Sequence, residues 1–322
     1  MMREDPGVIV MGEDIAGAAG RADQGFIDHF GGSFGMTKRL IQEFGPERVR
    51  DTPISEAGFV GAGVGAAAAG LRPLIDIKVV GFFGVCADQL LNNMAKMHYM
   101  FGGKVRLPVT VQTQTGAGQG WAAQHSETLW SVFTHFPGLK CVVPSDPYTA
   151  KGIQLAAMRD DDPVIIFQCM RLMGLSFDQH VPEQPYEVPI GSARVVREGT
   201  DVTLVGIGFS TQVSLMAAGE LERLGHSAEV VDLLSLSPLD EETVLDSIRK
   251  TRKVVVTDED YPRCSVASDI AALAIEKAFD FLDAPPGRVS PPHASVPYSP
   301  ALEERYVPRT DDVVKAALEV LG

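Results

Sequence analysis

Residues 49–78, VRDTPISEAGFVGAGVGAAAAGLRPLIDIK, read as one β–α–β unit. VRDTPIS is a short extended segment, Glu56 to Ala69 a helix with Ser55 as its N-cap, and LRPLIDIK the strand that follows. Small residues recur at i, i+4 spacing in two rows, Gly58/Ala62/Ala66 and Gly61/Gly65/Ala69. Each glycine costs a helix interior about 1 kcal/mol relative to alanine, so several together need a packing reason. Close approach of another backbone supplies one, from within the chain or from a second subunit. Glu56 is the single charge in the helix. It is either a helix-start device, since acids favour the first turn, or a functional carboxylate on a close-packed element.

The alternation continues on both sides. VIVMGED (8–14) is a buried parallel strand that delivers Glu13 and Asp14 to its C-terminal edge, where ligands collect in open α/β sheets. Residues 17–36 are glycine-rich and aperiodic, a long surface loop, and TKRLIQEFG (37–45) is a helix with a glycine stop. After LRPLIDIK the pattern predicts a helix from Val85 to Phe101, a strand at LPVTVQT (107–113), and a glycine-rich segment carrying His125. Next come a strand at LKCVVPS (139–145), a helix capped by Asp146, and a strand at DPVIIFQC (162–169). The fold class is therefore α/β, a mostly parallel sheet with helices on both faces. Residues 174–190 hold three prolines and no periodicity, as a linker would. The expected domains are 1–173 and 191–322, joined by 174–190. The second is a smaller α/β unit with strands at 201–208, 226–233 and 252–260.

The chain of 322 residues carries 28 basic and 42 acidic side chains, a net charge of -14. Such a surface repels phosphate backbones and anionic lipids, which argues against nucleic-acid and membrane partners. No apolar run reaches membrane-spanning length and the N-terminus lacks a signal-peptide core, so a cytoplasmic protein is expected. Cys86, Cys141, Cys169 and Cys264 are far apart, without a CxxC pair, and read as buried reduced thiols. The glycines around residue 118 fit neither GxxxxGK[ST] nor a strand–GxGxxG–helix phosphate loop. The polar groups at the edge of the first sheet are Glu13, Glu56, Gln112 and His125, beside Phe82 and Phe83. A carboxylate and an imidazole can move protons, and an aromatic offers a flat face to a heterocycle.

GED (12–14), DTPISEAGFVGAGVGAAAAGLRP (51–73), DQLLNNMAKMHYMFGG (88–103), AAQHSETL (122–129), PGLKCVVPSDPYTAKG (137–152) and AAMRDDDPVI (156–165) form an ordered set. VPIGSARVVREGTDVTLVG (188–206) and AFDFLDAP (278–285) extend it through the second domain. Together they resemble the beta subunit of the thiamine-diphosphate-dependent first component of 2-oxoacid dehydrogenase complexes. AGRADQGF (19–26), GVCADQ (84–89), RLMGL (171–175) and VTDEDYPRC (256–264) look most like the acetoin dehydrogenase type. The resemblance implies a transketolase-like fold, with a pyrimidine-binding domain followed by a transketolase C-terminal domain.

It also implies roles. Glu56 matches the glutamate that hydrogen-bonds the ring nitrogen N1' of the aminopyrimidine, Phe82 the aromatic packed on that ring, and Ile54 and Glu13 further groups around it. His125 matches an active-site histidine that assists acyl transfer to a lipoyl sulfur. Val109, Ala157, Asp160 and Asp162 match positions that bind potassium in some relatives, chiefly through main-chain carbonyls. Thiamine diphosphate and Mg²⁺ are the implied cofactors. An alpha subunit in an α2β2 tetramer and a lipoyl-bearing acyltransferase are the implied partners, and acetoin, pyruvate or a branched-chain 2-oxoacid the substrate. Three departures stand out. The helix that usually precedes GED is not in this sequence, Val85 replaces a glutamine that touches cofactor in some relatives, and there is no GDG with its following Asn, the motif that binds Mg²⁺ and diphosphate. The last is expected of a beta subunit, whose alpha partner supplies that half of the site. The competing expectation is a non-catalytic assembly module that keeps the fold.

Overall fold

The computed structural model describes residues 1–16, 31–32 and 34–322. Most of the loop expected over 17–36, including the AGRADQGF block, lies outside the described residues. The chain begins with β1 (Val8–Gly12), α1 (Leu40–Phe44), β2 (Val49–Asp51), α2 (Glu56–Ala68) and β3 (Arg72–Val79). All of β1 and all of β3 but its first residue are buried, as parallel strands covered on both faces must be. β1 pairs in parallel with β2 and β3, and β3 with β4 (Thr110–Thr115).

The opening helix packs differently from its row pattern. Its buried side includes Phe59, Val60, Gly63, Val64 and Ala67. Gly63, which belongs to neither i, i+4 row, makes the close approach: a Cβ there would stand 2.4 Å from Ile75 Cδ1 on β3. The row residues Gly58, Ala62 and Gly65 are exposed, and a Cβ on Gly65 would meet nothing within 4 Å. Ser55 occupies the cap position, but its side chain makes no capping hydrogen bond. The expected cap at Asp146 does form, its carboxylate accepting from the Thr149 N–H at 2.7 Å.

The helix expected from Val85 to Phe101 is two pieces, a π-helical segment over Asp88–Met94 and α3 (Met97–Met100), preceded by a 3-10 turn over Val80–Val85. The Ala95 N–H donates five residues back to Leu90, and Asn93 Nδ2 donates to the Asp88 carbonyl, which widens the turn. Further on lie α4 (Ala122–His125), α5 (Trp130–Thr134), β5 (Lys140–Val142), α6 (Pro147–Arg159) and β6 (Val164–Cys169).

Next come β7 (Arg194–Arg197), β8 (Val202–Gly206), α7 (Phe209–Arg223), β9 (Ala228–Asp232), β10 (Ser235–Ser237), α8 (Glu241–Thr251) and β11 (Val254–Thr257). α9 (Val266–Ala278), β12 (Gly287–Val289), α10 (Pro300–Tyr306) and α11 (Thr310–Leu321) complete the chain. The larger sheet has the order β10-β5-β6-β4-β3-β1-β2 and the smaller β12-β11-β8-β9-β7. β7, β10 and β12 are too short to show a period and were not legible as strands.

Contacts group the chain into two compact units, Met1–Gln114 with His135–Lys140 and Gln154–Ile166, and Thr115–Thr134 with Cys141–Ile153 and Phe167–Gly322. In the second unit the proline-containing stretch 174–190 has no helix or strand beyond Gly174, which ends a 3-10 turn (Met170–Gly174), yet it is fastened to α6. Lys151 Nζ donates to the carbonyls of Pro182, Glu183 and Gln184, and Tyr186 stacks on Tyr148 at 4.4 Å. Cys86, Cys141 and Cys169 are buried as expected; Cys264 is exposed. Among the described residues no helix is long and apolar enough to cross a membrane.

Candidate active site

In the first unit the parallel strands aim their last residues at one edge. Glu56, the first residue of α2, is buried, 6% exposed. Its carboxylate receives no hydrogen bond among the described residues. Glu13 follows β1 and is electrostatically coupled to Glu56: burial raises its pKa, Asp14 and Glu56 add to the rise, and Lys78 opposes it. Lys78 Nζ and Gln112 Nε2 each lie 3.3 Å from Asp76 Oδ2. The other oxygen, Asp76 Oδ1, is buried without a partner, and burial raises this carboxyl against the opposing pull of Lys78 and Gln112. Gly12 lets the strands close here, since a Cβ on it would stand 2.7 Å from the Asp76 carbonyl.

Phe82 is half-buried in the 3-10 turn after β3. Its carbonyl accepts a weak bond from Cys86 Sγ at 3.8 Å, and burial, aided by Glu56, pushes that thiol up to about 12. Ile54 and Val85 are 76% and 61% exposed. The structure thus gathers Glu13 and Glu56 at the sheet edge, sets Phe82 on the turn behind it, and leaves Ile54 facing outward. Asp76 and Lys78 were not singled out by sequence reasoning. The signal was present, because two charges alternating inside a buried strand need a reason.

The four positions matched to potassium also come together. The Val109 carbonyl accepts from the Val164 N–H at 2.9 Å, and the Ala157 carbonyl accepts from Thr110 Oγ1 at 3.1 Å. The Asp160 carbonyl accepts from Arg72 Nη1 at 2.9 Å. Lys140 Nζ holds the Asp160 carboxylate at 2.8 Å and that of Asp162 at 3.0 Å. The two carboxylates share a lysine, so the main-chain oxygens are the donors left for an ion, although the Ala157 carbonyl also accepts from the Asp160 N–H at 3.3 Å.

His125 lies in the second unit, exposed at the end of α4. The segment that carries it is closed at its base, where the Glu127 carbonyl accepts from the Gly116 N–H and from Thr115 Oγ1. Behind it Trp130 is wholly buried and donates from Nε1 to Asp258 Oδ1 at 3.1 Å, and the Ser131 N–H donates to Asp260. Sequence reading passed over the three acids that end β11. Burial raises both Asp258 and Asp260, the charge of Asp260 adding to the first shift and that of Glu127 to the second. Glu259, 3.7 Å from Arg171 Nη1, is pushed by burial up to about 7.

That shift has a stability sign. The folded chain keeps a proton on Glu259 that the unfolded chain releases above pH ~4, so this contribution to stability falls as pH rises from ~4 to about 7. Glu259→Gln should therefore gain on the wild type between pH 5 and pH 8, by on the order of 3 kcal/mol at most. Urea midpoints at the two pH values check it; a constant difference between the proteins refutes it.

Residues 1–174 match the family model described as the transketolase pyrimidine-binding domain, and residues 191–313 the transketolase C-terminal domain. The chain belongs to the transketolase family. Within that family its similar relatives are dehydrogenase beta subunits. It is 49% identical to the beta subunit of acetoin:2,6-dichlorophenolindophenol oxidoreductase of Bacillus subtilis, covering 100% of this chain and 93% of that one. It is 38% identical to the pyruvate dehydrogenase E1 beta subunit of Rickettsia felis, over 99% and 94%. A solved split-gene transketolase, an inactive beta4 tetramer, superposes with TM-score 0.77 at 25% identity, over 99% of this chain and 94% of that one.

Proposed function

We propose that this chain is the beta subunit of a thiamine-diphosphate-dependent dehydrogenase acting on acetoin or a 2-oxoacid. In this reading it is active with an alpha subunit in an α2β2 assembly and passes the acyl group to a lipoyl domain. The observation that carries the reading is Glu56: a carboxylate buried at the sheet edge that receives no hydrogen bond among the described residues, with the half-buried Phe82 on the turn after β3. A buried carboxyl is costly unless something pairs with it, and the pyrimidine nitrogen of thiamine would pair with it by accepting its proton. The acetoin oxidoreductase relative at 49% identity supports acetoin as the first substrate to test.

Thiamine diphosphate, when bound, supplies the carbon that attacks the substrate carbonyl. Glu56 would exchange a proton with N1' of its pyrimidine, as a general acid–base must at hydrogen-bond range. Glu13, whose pKa burial raises with Asp14 and Glu56 adding to the rise, would be a further acid at the ring's edge. Phe82 would present a face to the ring. His125 would handle the proton of the lipoyl sulfur. Mg²⁺ and the diphosphate are assigned to the alpha subunit because this chain has no GDG motif. Potassium, where it binds, would take the carbonyls of Val109, Ala157, Asp160 and Asp162.

The test is reconstitution with a candidate alpha subunit, followed by a panel of acetoin, pyruvate and branched-chain 2-oxoacids with 2,6-dichlorophenolindophenol as acceptor. A pair that neither binds thiamine diphosphate nor reduces the dye with any of them excludes the enzyme reading and leaves the assembly module.

The exposed small-residue rows of α2 are assigned to the subunit contact. Gly65→Leu is a sharper probe than a change at Gly61, whose Cβ would already touch Gln89 at 3.3 Å, because at Gly65 the chain itself offers no obstacle. The isolated variant should melt at or above the wild-type temperature, since leucine favours helix, and its association with the alpha chain should weaken at least tenfold through overpacking. Unchanged association by sedimentation would remove α2 from the interface.

A further inference from the structure

The segment that carries His125 is held by a residue nearly two hundred positions away. Glu303, on α10, is 3% exposed. Its Oε1 accepts from the Gly118 N–H at 2.7 Å and its Oε2 from the Gly120 N–H at 2.8 Å. Both glycines have positive φ, +106° and +71°. On Gly118 the space a Cβ would fill is taken by the stem of Arg171, whose Cδ would lie 2.8 Å away. The Arg171 guanidinium stacks at 3.9 Å over the Phe209 ring. The turn at Gly118 is thus pressed between an arginine stem and a carboxylate. It is pinned five residues before His125, and from its other end the segment is closed by the Gly116–Glu127 bond.

A carboxylate accepting two main-chain N–H groups is a strong, two-point and directional contact, and burial removes the water that would compete with it. Loop residues left to themselves exchange among conformers, whereas a group that must meet a reacting atom has to be held to within about half an ångström. From this juxtaposition we propose that Glu303 is a positioning residue that fixes the orientation of His125 by clamping the Gly118–Gly120 turn. The proposal rests on the catalytic reading of His125 given above. Glu303 itself touches no substrate.

Two variants and two measurements test it. Glu303→Ala removes both acceptors. Glu303→Gln keeps the size but turns one oxygen into an NH₂ that cannot accept, so one glycine N–H loses its partner. In the full chain, amide hydrogen exchange over residues 116–125 should accelerate at least tenfold in both variants, with exchange over 202–223 unchanged. In the assembly with the alpha chain, acyl transfer to a lipoyl domain should fall at least tenfold relative to dye reduction, because only the first step needs the imidazole in place. Unchanged exchange in the glutamine variant overturns the clamp. Equal loss of transfer and of dye reduction in a folded variant overturns the positioning of His125 and makes Glu303 a structural brace. A wild-type assembly that reduces no dye overturns the enzyme reading beneath the proposal, and the exchange result distinguishes that failure from the other two.

Discussion

Glu56→Gln should leave the fold and thiamine diphosphate binding nearly intact and lower turnover of the assembled enzyme by roughly 10²–10⁴-fold, the usual worth of a placed acid–base group. The amide is isosteric, and the position, 6% exposed, accepts no hydrogen bond from the described residues that the change would break. The substitution should not destabilise the protein. Glutamine can donate to a ring nitrogen but cannot surrender and recover a proton, so binding and proton traffic separate. The decisive measurement is hydrogen–deuterium exchange at the thiazolium carbon in the assembled variant. Exchange at the wild-type rate would sink the role assigned to Glu56. Loss of binding with loss of exchange would instead mark it as an anchor for the ring.

The second large effect is on stability, at Arg194. Its Nε lies 3.0 Å from Asp232 Oδ2, and its Nη2 reaches Asp146 and, at 3.2 Å, Ser145 Oγ. Asp232 is fully buried on β9 and also accepts from Ser145 Oγ and, at 2.9 Å, from Thr211 Oγ1. One guanidinium therefore serves two acids and ties β7, β9 and the cap of α6. Burial raises Asp232 and Arg194 opposes the rise. Arg194→Met leaves that carboxylate without its cation and should cost ~3–5 kcal/mol, the range for breaking rather than replacing a buried ion pair. Adding Asp232→Asn removes the stranded charge and should recover part of the loss. Urea unfolding followed by tryptophan fluorescence reads this directly, because Trp121 and Trp130 both lie in the second unit. A single-variant cost below ~1 kcal/mol would show that the pair contributes no more than a surface bridge.

Much of the architecture was legible because parallel strands buried on both faces are near-continuous apolar runs. β1, β8, β9 and β11 were readable for that reason, as was the Gly/Ala helix after Glu56. What was not legible depended on distance along the chain. β7, β10 and β12 have three or four residues and no periodicity, so only pairing defines them. The 88–101 stretch has helical composition, but the Asn93–Asp88 bond that opens its turn is a side-chain detail. The inward glycine of α2 was hidden by the regular rows beside it, since only the position of Ile75 makes Gly63 the contact. At the candidate site, residue types on short motifs were visible: Glu13, Glu56, Phe82 and His125. Their supports were not. Glu259 and Glu303 act on partners in other elements, and charge alone in a sequence does not say which groups are buried.

The Glu303 contact also sets an order of events during synthesis. Gly120 leaves the ribosome 183 residues before the carboxylate that secures it. At 5–20 residues per second the turn waits roughly 10 to 40 s for its partner. The local Gly116–Glu127 closure can form early, but the Gly118–Gly120 turn stays unpinned until α10 has been made.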